Sequence, residues 1–291
     1  MNNYSKKWIY LTVLSIIWGS SYILIKKSLV GLTPLQLGGM RVVFTTITLL
    51  IIGFSTIKDV PKNKWKWIIL TGYIGSFFPS FLFAFAQTEI DSGVTAILNS
   101  LTPLATLLIG LFFFRLLINK RQVAGIFIGL IGSGLLVTES SSVNPDQNYF
   151  YAGLIVIAST FYAISLNMLK AHLQDVSPVA IALGNFLCIL PPSILVLIFS
   201  GLETVNFQSD EFQNSVIFVI ILSIVGSAFA KIVFNKLVQI SSPIFSSSIT
   251  YTLPIVALIW GVLDGETMNV KQIFATVIIL LGVYLSNKKS N

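Results

Sequence analysis

The chain has 291 residues, 55% of them hydrophobic and only 10% charged, with a mean hydropathy of +0.87. A soluble protein needs roughly a quarter of its residues charged, so a water-soluble globule is excluded. The net charge of +7, from 18 Lys and Arg against 11 Asp and Glu, is read by position along a membrane chain and not as a nucleic-acid surface, because cytoplasmic loops of membrane proteins collect basic residues.

A spanning helix takes about 20 apolar residues, and the apolar runs predict an all-α polytopic membrane protein. Ten crossings are expected near 8–25, 34–54, 67–87, 93–114, 121–138, 150–170, 178–200, 216–236, 243–263 and 270–286. The first follows Lys6-Lys7 as a signal peptide would, but its apolar core is too long and no small-x-small site follows it, so a retained helix is expected. An even number of crossings puts both termini on one face. With the termini in the cytoplasm, thirteen Lys and Arg lie inside and only Lys26, Lys27 and Lys271 outside, while Arg41 and Lys231 fall within helices. That bias sets the expected orientation.

Residues 90–137 can be laid over 240–287 without a gap. Ile90/Ile240, Ser92/Ser242, Thr102/Thr252, Asn119/Asn269, Gln122/Gln272, Gly132/Gly282 and Leu135/Leu285 then coincide. Thr33-Pro34 matches Ser177-Pro178, which sets Arg41 against Asn185. Two five-helix repeats are therefore expected, over 1–140 and 149–287. Five is odd, so the second repeat enters the membrane from the opposite side. Inverted repeats around a central cavity are typical of secondary transporters, which work by alternating access.

Polar groups in hydrocarbon face partner helices or a wet cavity, and their spacing marks the face. The eighth stretch carries Ser223, Ser227, Lys231 and Asn235 at four-residue intervals; the fourth carries Thr95, Asn99, Thr102 and Thr106. Similar faces occur in the first, third, sixth and ninth stretches, which are expected to line the cavity with the fifth and tenth packed behind. The fifth has instead a small-residue face, Gly125, Gly129, Gly132 and Gly134, suited to close helix contact. The side chains expected to bind solute are Trp18, Tyr22, Arg41, Tyr73, Phe77, Asn99, Tyr162, Asn167, Ser227, Lys231 and Tyr251. Neither Arg41 nor Lys231 has an evident intramembrane carboxylate partner, which points to a carboxylate on the solute. Helix breaks are expected at Pro79, Pro103, Pro191-Pro192 and Pro254.

No catalytic, cofactor or metal constellation is present. Cys188 and His172 are each the single residue of their type, no H-E-x-x-H occurs, and no P-loop is found. The partners expected are a small-molecule solute and membrane lipid, without nucleic acid; no oligomeric state follows. A facilitative channel, or an exchanger-type permease for small polar or cationic solutes, is the alternative to a carrier.

In the first stretch Trp18-Gly19-Ser20-Ser21-Tyr22 precedes Lys26-Lys27, and in the second stands Met40-Arg41-Val42. Pro254, Asp264-Gly265-Glu266 and Gln272 follow in the second half. In their order and spacing these resemble the drug/metabolite transporter superfamily, specifically its ten-helix EamA-type members. In the first half Pro103 and Gln122 fit, whereas Arg115-Leu116 stands where Gly-Glu belongs. The resemblance covers the whole chain and implies a multi-pass carrier of the bacterial inner membrane, often an exporter of amino acids or related small metabolites, and not an enzyme.

Overall fold

Within a bilayer a chain can satisfy its backbone hydrogen bonds only as helices or as a closed barrel, and the long Leu/Ile/Val/Phe runs with few breaks favour helices. The computed structural model describes residues 3–114, 119–141, 148–264 and 270–287. Among them there is no strand. The helices are α1 Asn3–Ser28, α2 Pro34–Gly53, α3 Lys62–Ala86, α4 Ser92–Phe114, α5 Lys120–Ser141, α6 Ala152–His172, α7 Pro178–Ile198, α8 Asp210–Ile240, α9 Pro243–Leu263 and α10 Val270–Asn287. Among the described residues, eight helices are long and apolar enough to cross a membrane. Large apolar side chains such as Phe113 and Phe199, 79% and 82% exposed, cover the outer surface, as lipid contact requires. Arg115-Leu116, Gly265-Glu266, Lys288-Lys289 and the Gln272 side chain lie outside the described residues.

Helix starts follow local chemistry. Thr33 Oγ1 accepts from the Gln36 N–H at 3.3 Å and Gln36 Oε1 from the Thr33 N–H at 3.0 Å, a reciprocal cap completed by Pro34 in the first turn. Ser177 caps α7 and Ser242 caps α9 with the serine oxygen accepting from the Ala180 and Phe245 N–H, without the reciprocal bond, each followed by proline. The Thr33-Pro34 and Ser177-Pro178 match is thus one helix-start device used twice.

Four helices are interrupted, in two corresponding pairs. A π-helical turn occupies Tyr73–Phe77 in α3 and Leu222–Phe229 in α8. A 3-10 turn occupies Asn99–Leu101 in α4 and Ser248–Tyr251 in α9. Pro79, Pro103 and Pro254 follow three of these turns closely, as a residue without an N–H would. By contrast α7 runs unbroken through Pro191 and Pro192, so the break expected there does not form.

Packing also repeats. α2 lies on α7 and α5 on α10; α1 meets α8 and α9 as α6 meets α3 and α4. The α5–α10 pair is the closest-packed. A Cβ at Gly282 would stand 2.5 Å from the Gly129 nitrogen, and one at Gly132 2.9 Å from the Ile279 nitrogen. Gly134 meets nothing within 4 Å, so it is not part of this close face.

Candidate solute cavity

The interrupted segments meet around a cavity of about 120 Å³, room for several water molecules. Side chains from α1 to α4 and α6 to α9 line it, and the described residues of α5 and α10 contribute none. Helix α2 contributes the expected Arg41 although the helix was not placed among the lining ones, and α7, also not placed there, contributes Phe186.

The lining is built largely of equivalent pairs. Trp18 of α1 packs on Phe234 of α8, ring centroids 5.0 Å apart, and Tyr162 of α6 on Phe83 of α3 at 5.8 Å. Gly226 in the α8 π turn abuts Ser21 of α1, and Gly75 in the α3 π turn abuts Ser165 of α6. Behind the lining, Ser15 of α1 pairs with Thr252 of α9, as Ser159 of α6 donates to the lining residue Asn99 of α4 at 3.1 Å.

The π turns free backbone carbonyls, which side chains then use. Pro79 has no N–H to offer the carbonyl four residues back, that of Gly75, and Lys231 Nζ donates to this oxygen at 3.2 Å. In α8 the Ala230 N–H goes to the Ser227 and Val225 carbonyls, and the Gly226 oxygen accepts from Trp18 Nε1 at 2.9 Å. Arg41 Nε donates to Ser227 Oγ at 2.8 Å. Asn99 Nδ2 donates to the Tyr22 hydroxyl at 2.9 Å, while its Oδ1 accepts from Thr102 and Ser159. Neither cation snorkels to an interface; both face the cavity.

Of the expected residues, Trp18, Tyr22, Arg41, Asn99, Tyr162, Ser227 and Lys231 come together on the cavity wall. Four do not. Tyr73 and Phe77 pack toward the α2–α7 core with Phe186 and Leu183, because the π turn rotates them away from Ser76 and Ser80. Asn167 ties α6 to α4, its Nδ2 donating to the Thr106 carbonyl at 3.1 Å. Tyr251 is fully buried behind the cavity, its hydroxyl on the Ile126 carbonyl at 3.2 Å. Phe83 and Phe234 were not anticipated. Each follows a polar pair at helical spacing, Ser76-Ser80-Phe83 and Ser227-Lys231-Phe234, and that shared i, i+4, i+7 pattern is the signal that marks them.

Ion pairs sit at the two ends of the bundle. Lys27 joins Asp264 at 2.6 Å, linking the ends of α1 and α9, and Lys64 joins Asp175 at 2.7 Å beyond α6. The hydrogen bond from Lys27 holds the Asp264 carboxyl below the usual carboxylate range, helped by the charges of Lys27 and Lys26. A carboxyl lowered in this way contributes its tie above the ordinary value and loses it as pH falls through the lowered one. The distance between spin labels on the ends of α1 and α9 should therefore hold steady until pH drops below about 3.9, then lengthen. In Asp264→Asn it should be longer and insensitive to pH throughout.

The family model described as "EamA-like transporter family" matches residues 6–138 and again 150–288. The chain belongs to the EamA-like transporter family. It is 22% identical to an uncharacterized transporter of Archaeoglobus fulgidus, over 98% of this chain and 99% of that protein. It is 23% identical to a "probable amino-acid metabolite efflux pump" of Salmonella typhimurium, over 93% and 91%. To the inner membrane transporter YedA of Escherichia coli it is 25% identical, over 94% and 90%. A solved crystal structure shares the fold with a TM-score of 0.77 at 15% identity, covering 97% of this chain and 96% of the other. With eight helices among the described residues able to span a bilayer and this membership, the EamA-family chain is a membrane transporter.

Proposed function

We propose that the protein is a secondary transporter exporting small metabolites such as amino acids. It lies in the bacterial inner membrane with both termini in the cytoplasm, as ten helices in two inverted five-helix repeats, 1–140 and 149–287. The observation that carries this reading is the amphipathic cavity itself, bounded on opposing sides by corresponding interrupted helices, α3 and α4 against α8 and α9. Rocking one half against the other would open such a cavity to each face in turn. The family model matching twice along the chain supports the repeat division. The strong Lys and Arg bias supports the orientation, and the name of the Salmonella relative supports outward movement of amino-acid-like solutes. Among the described residues no acidic side chain lines the cavity, so the reading assigns no proton-carrying carboxylate to it.

Proteoliposome counterflow tests it. Preloading with an accepted amino-acid-like solute should accelerate entry of its labelled form, with saturation. Flux that rises linearly with concentration and shows no acceleration by preloading, or large unitary currents, would overturn the carrier reading.

A further inference from the structure

We propose that the cavity is an organic-acid site. Its cargo carries a carboxylate seated between Arg41 and Lys231 and a net negative charge, with an apolar body against the two ring pairs. This rests on the transport reading above.

The argument is one of broken equivalence. The aromatic pairs, the π-turn glycines and their serine neighbours all occur on both sides of the cavity. The charges do not. Arg41 corresponds to Asn185, which is turned away from the cavity to donate to the Ile68 carbonyl at 2.6 Å and to Thr71 Oγ1 at 3.0 Å. Lys231 corresponds to Ser80, whose hydroxyl folds back on the Ser76 carbonyl at 2.7 Å. One cation therefore comes from each half, neither has a charged counterpart, and both line the same cavity.

Two like charges removed from water need a counter-charge. Among the described residues the ion pairs involve Lys26, Lys27, Lys64 and Lys271, and neither Arg41 nor Lys231 has a carboxylate within ion-pair distance. The cations are also held in readiness. Ser227 takes only the Nε edge of Arg41, which leaves the terminal N–H groups without a hydrogen bond to the described residues, the arrangement a bidentate carboxylate uses. The Gly75 carbonyl takes one of the three Lys231 donors. A basic solute would find no anion on the wall and two cations facing it. A zwitterion would leave its ammonium to hydroxyls and ring faces, and should rank between.

The test uses the intact protein in proteoliposomes and compares solutes that differ in charge on one body. The N-acetylated acid, the free amino acid and the amino-acid amide of phenylalanine, leucine and alanine compete in the counterflow assay. The acid should compete about tenfold or more better than the amide, the size of one charge-assisted hydrogen bond. Arg41→Gln should abolish that preference and Arg41→Lys should keep part of it. Lys231→Gln should weaken it with an unchanged melting temperature, which keeps the test valid should Arg41→Gln fail to fold. Tyr73→Phe, outside the cavity, should change nothing. Equal competition by the three charge forms, or a preference surviving both cation neutralisations, overturns the acid site while leaving the carrier reading intact. Absence of counterflow with every solute overturns the carrier reading itself.

Discussion

Gly282→Leu is expected to force α10 away from α5 and to lower the melting temperature of the purified protein by several degrees. A Cβ at that position would lie 2.5 Å from the Gly129 nitrogen, 2.7 Å from its Cα and 2.8 Å from the Gly125 carbonyl oxygen. All three are backbone atoms, and no rotamer change can move them aside. Overpacking a close contact costs about 1–3 kcal/mol even where side chains can adjust, so the cost here belongs at the upper end of that range. Gly134→Leu is the matched control. It adds the same side chain to the partner helix, where no atom lies within 4 Å, and should stay within about 0.5 kcal/mol of the parent. Equal melting temperatures for the two variants would show that α5 and α10 are not in backbone contact. The result bears on architecture because α5, in the first half, and α10, in the second, are packed directly on each other.

The all-helical architecture was legible because each helix is written in apolar runs closed by strong local signals, such as the Thr33-Pro34 and Ser177-Pro178 starts. A close contact on α5 was legible from its small residues, of which Gly129 and Gly132 make it and Gly134 does not; that α10 is the helix it meets was not. The cavity wall was legible only in part. Four-residue spacing correctly joined Ser227 to Lys231, but Ser223 and Asn235 of the same stripe are tied to the Val219 and Pro178 carbonyls behind the wall. The π turn from Leu222 to Phe229 changes the number of residues per turn within the stripe, so a constant period cannot follow it. The same phase shift in α3 sends Tyr73 and Phe77 to the α7 side. Tyr251 fails for a different reason. It ends the 3-10 turn of α9, and a buried phenol needs only one carbonyl, here that of Ile126, to be satisfied within the core. None of these distinctions is a property of composition; each depends on where the helical phase changes.

Those phase changes lead to a second expected effect, this one on transport. Gly75→Ala should cut counterflow by about an order of magnitude, a barrier change of about 1.4 kcal/mol, without loss of folded protein. Gly226→Ala should reduce it less. The added Cβ at Gly75 would run into Ser165 Oγ and lie 3.5 Å from Lys231 Nζ, whereas at Gly226 it would approach Ser21 Oγ at 2.8 Å and reach no charged group. Each glycine lets a π turn of one half press on a helix of that turn's opposing partner, α3 on α6 and α8 on α1. Motion of the halves must pass through these two contacts if the cavity opens to alternate faces. Removing the opposing side chain should therefore restore transport, and only locally: Ser165→Gly should rescue Gly75→Ala, and Ser21→Gly should rescue Gly226→Ala. The crossed combinations should rescue neither. Rescue by either serine change indiscriminately would mean that the glycines act through general loosening of the bundle, whereas pair-specific rescue ties the transport cycle to two separate contacts, one on each side of the solute.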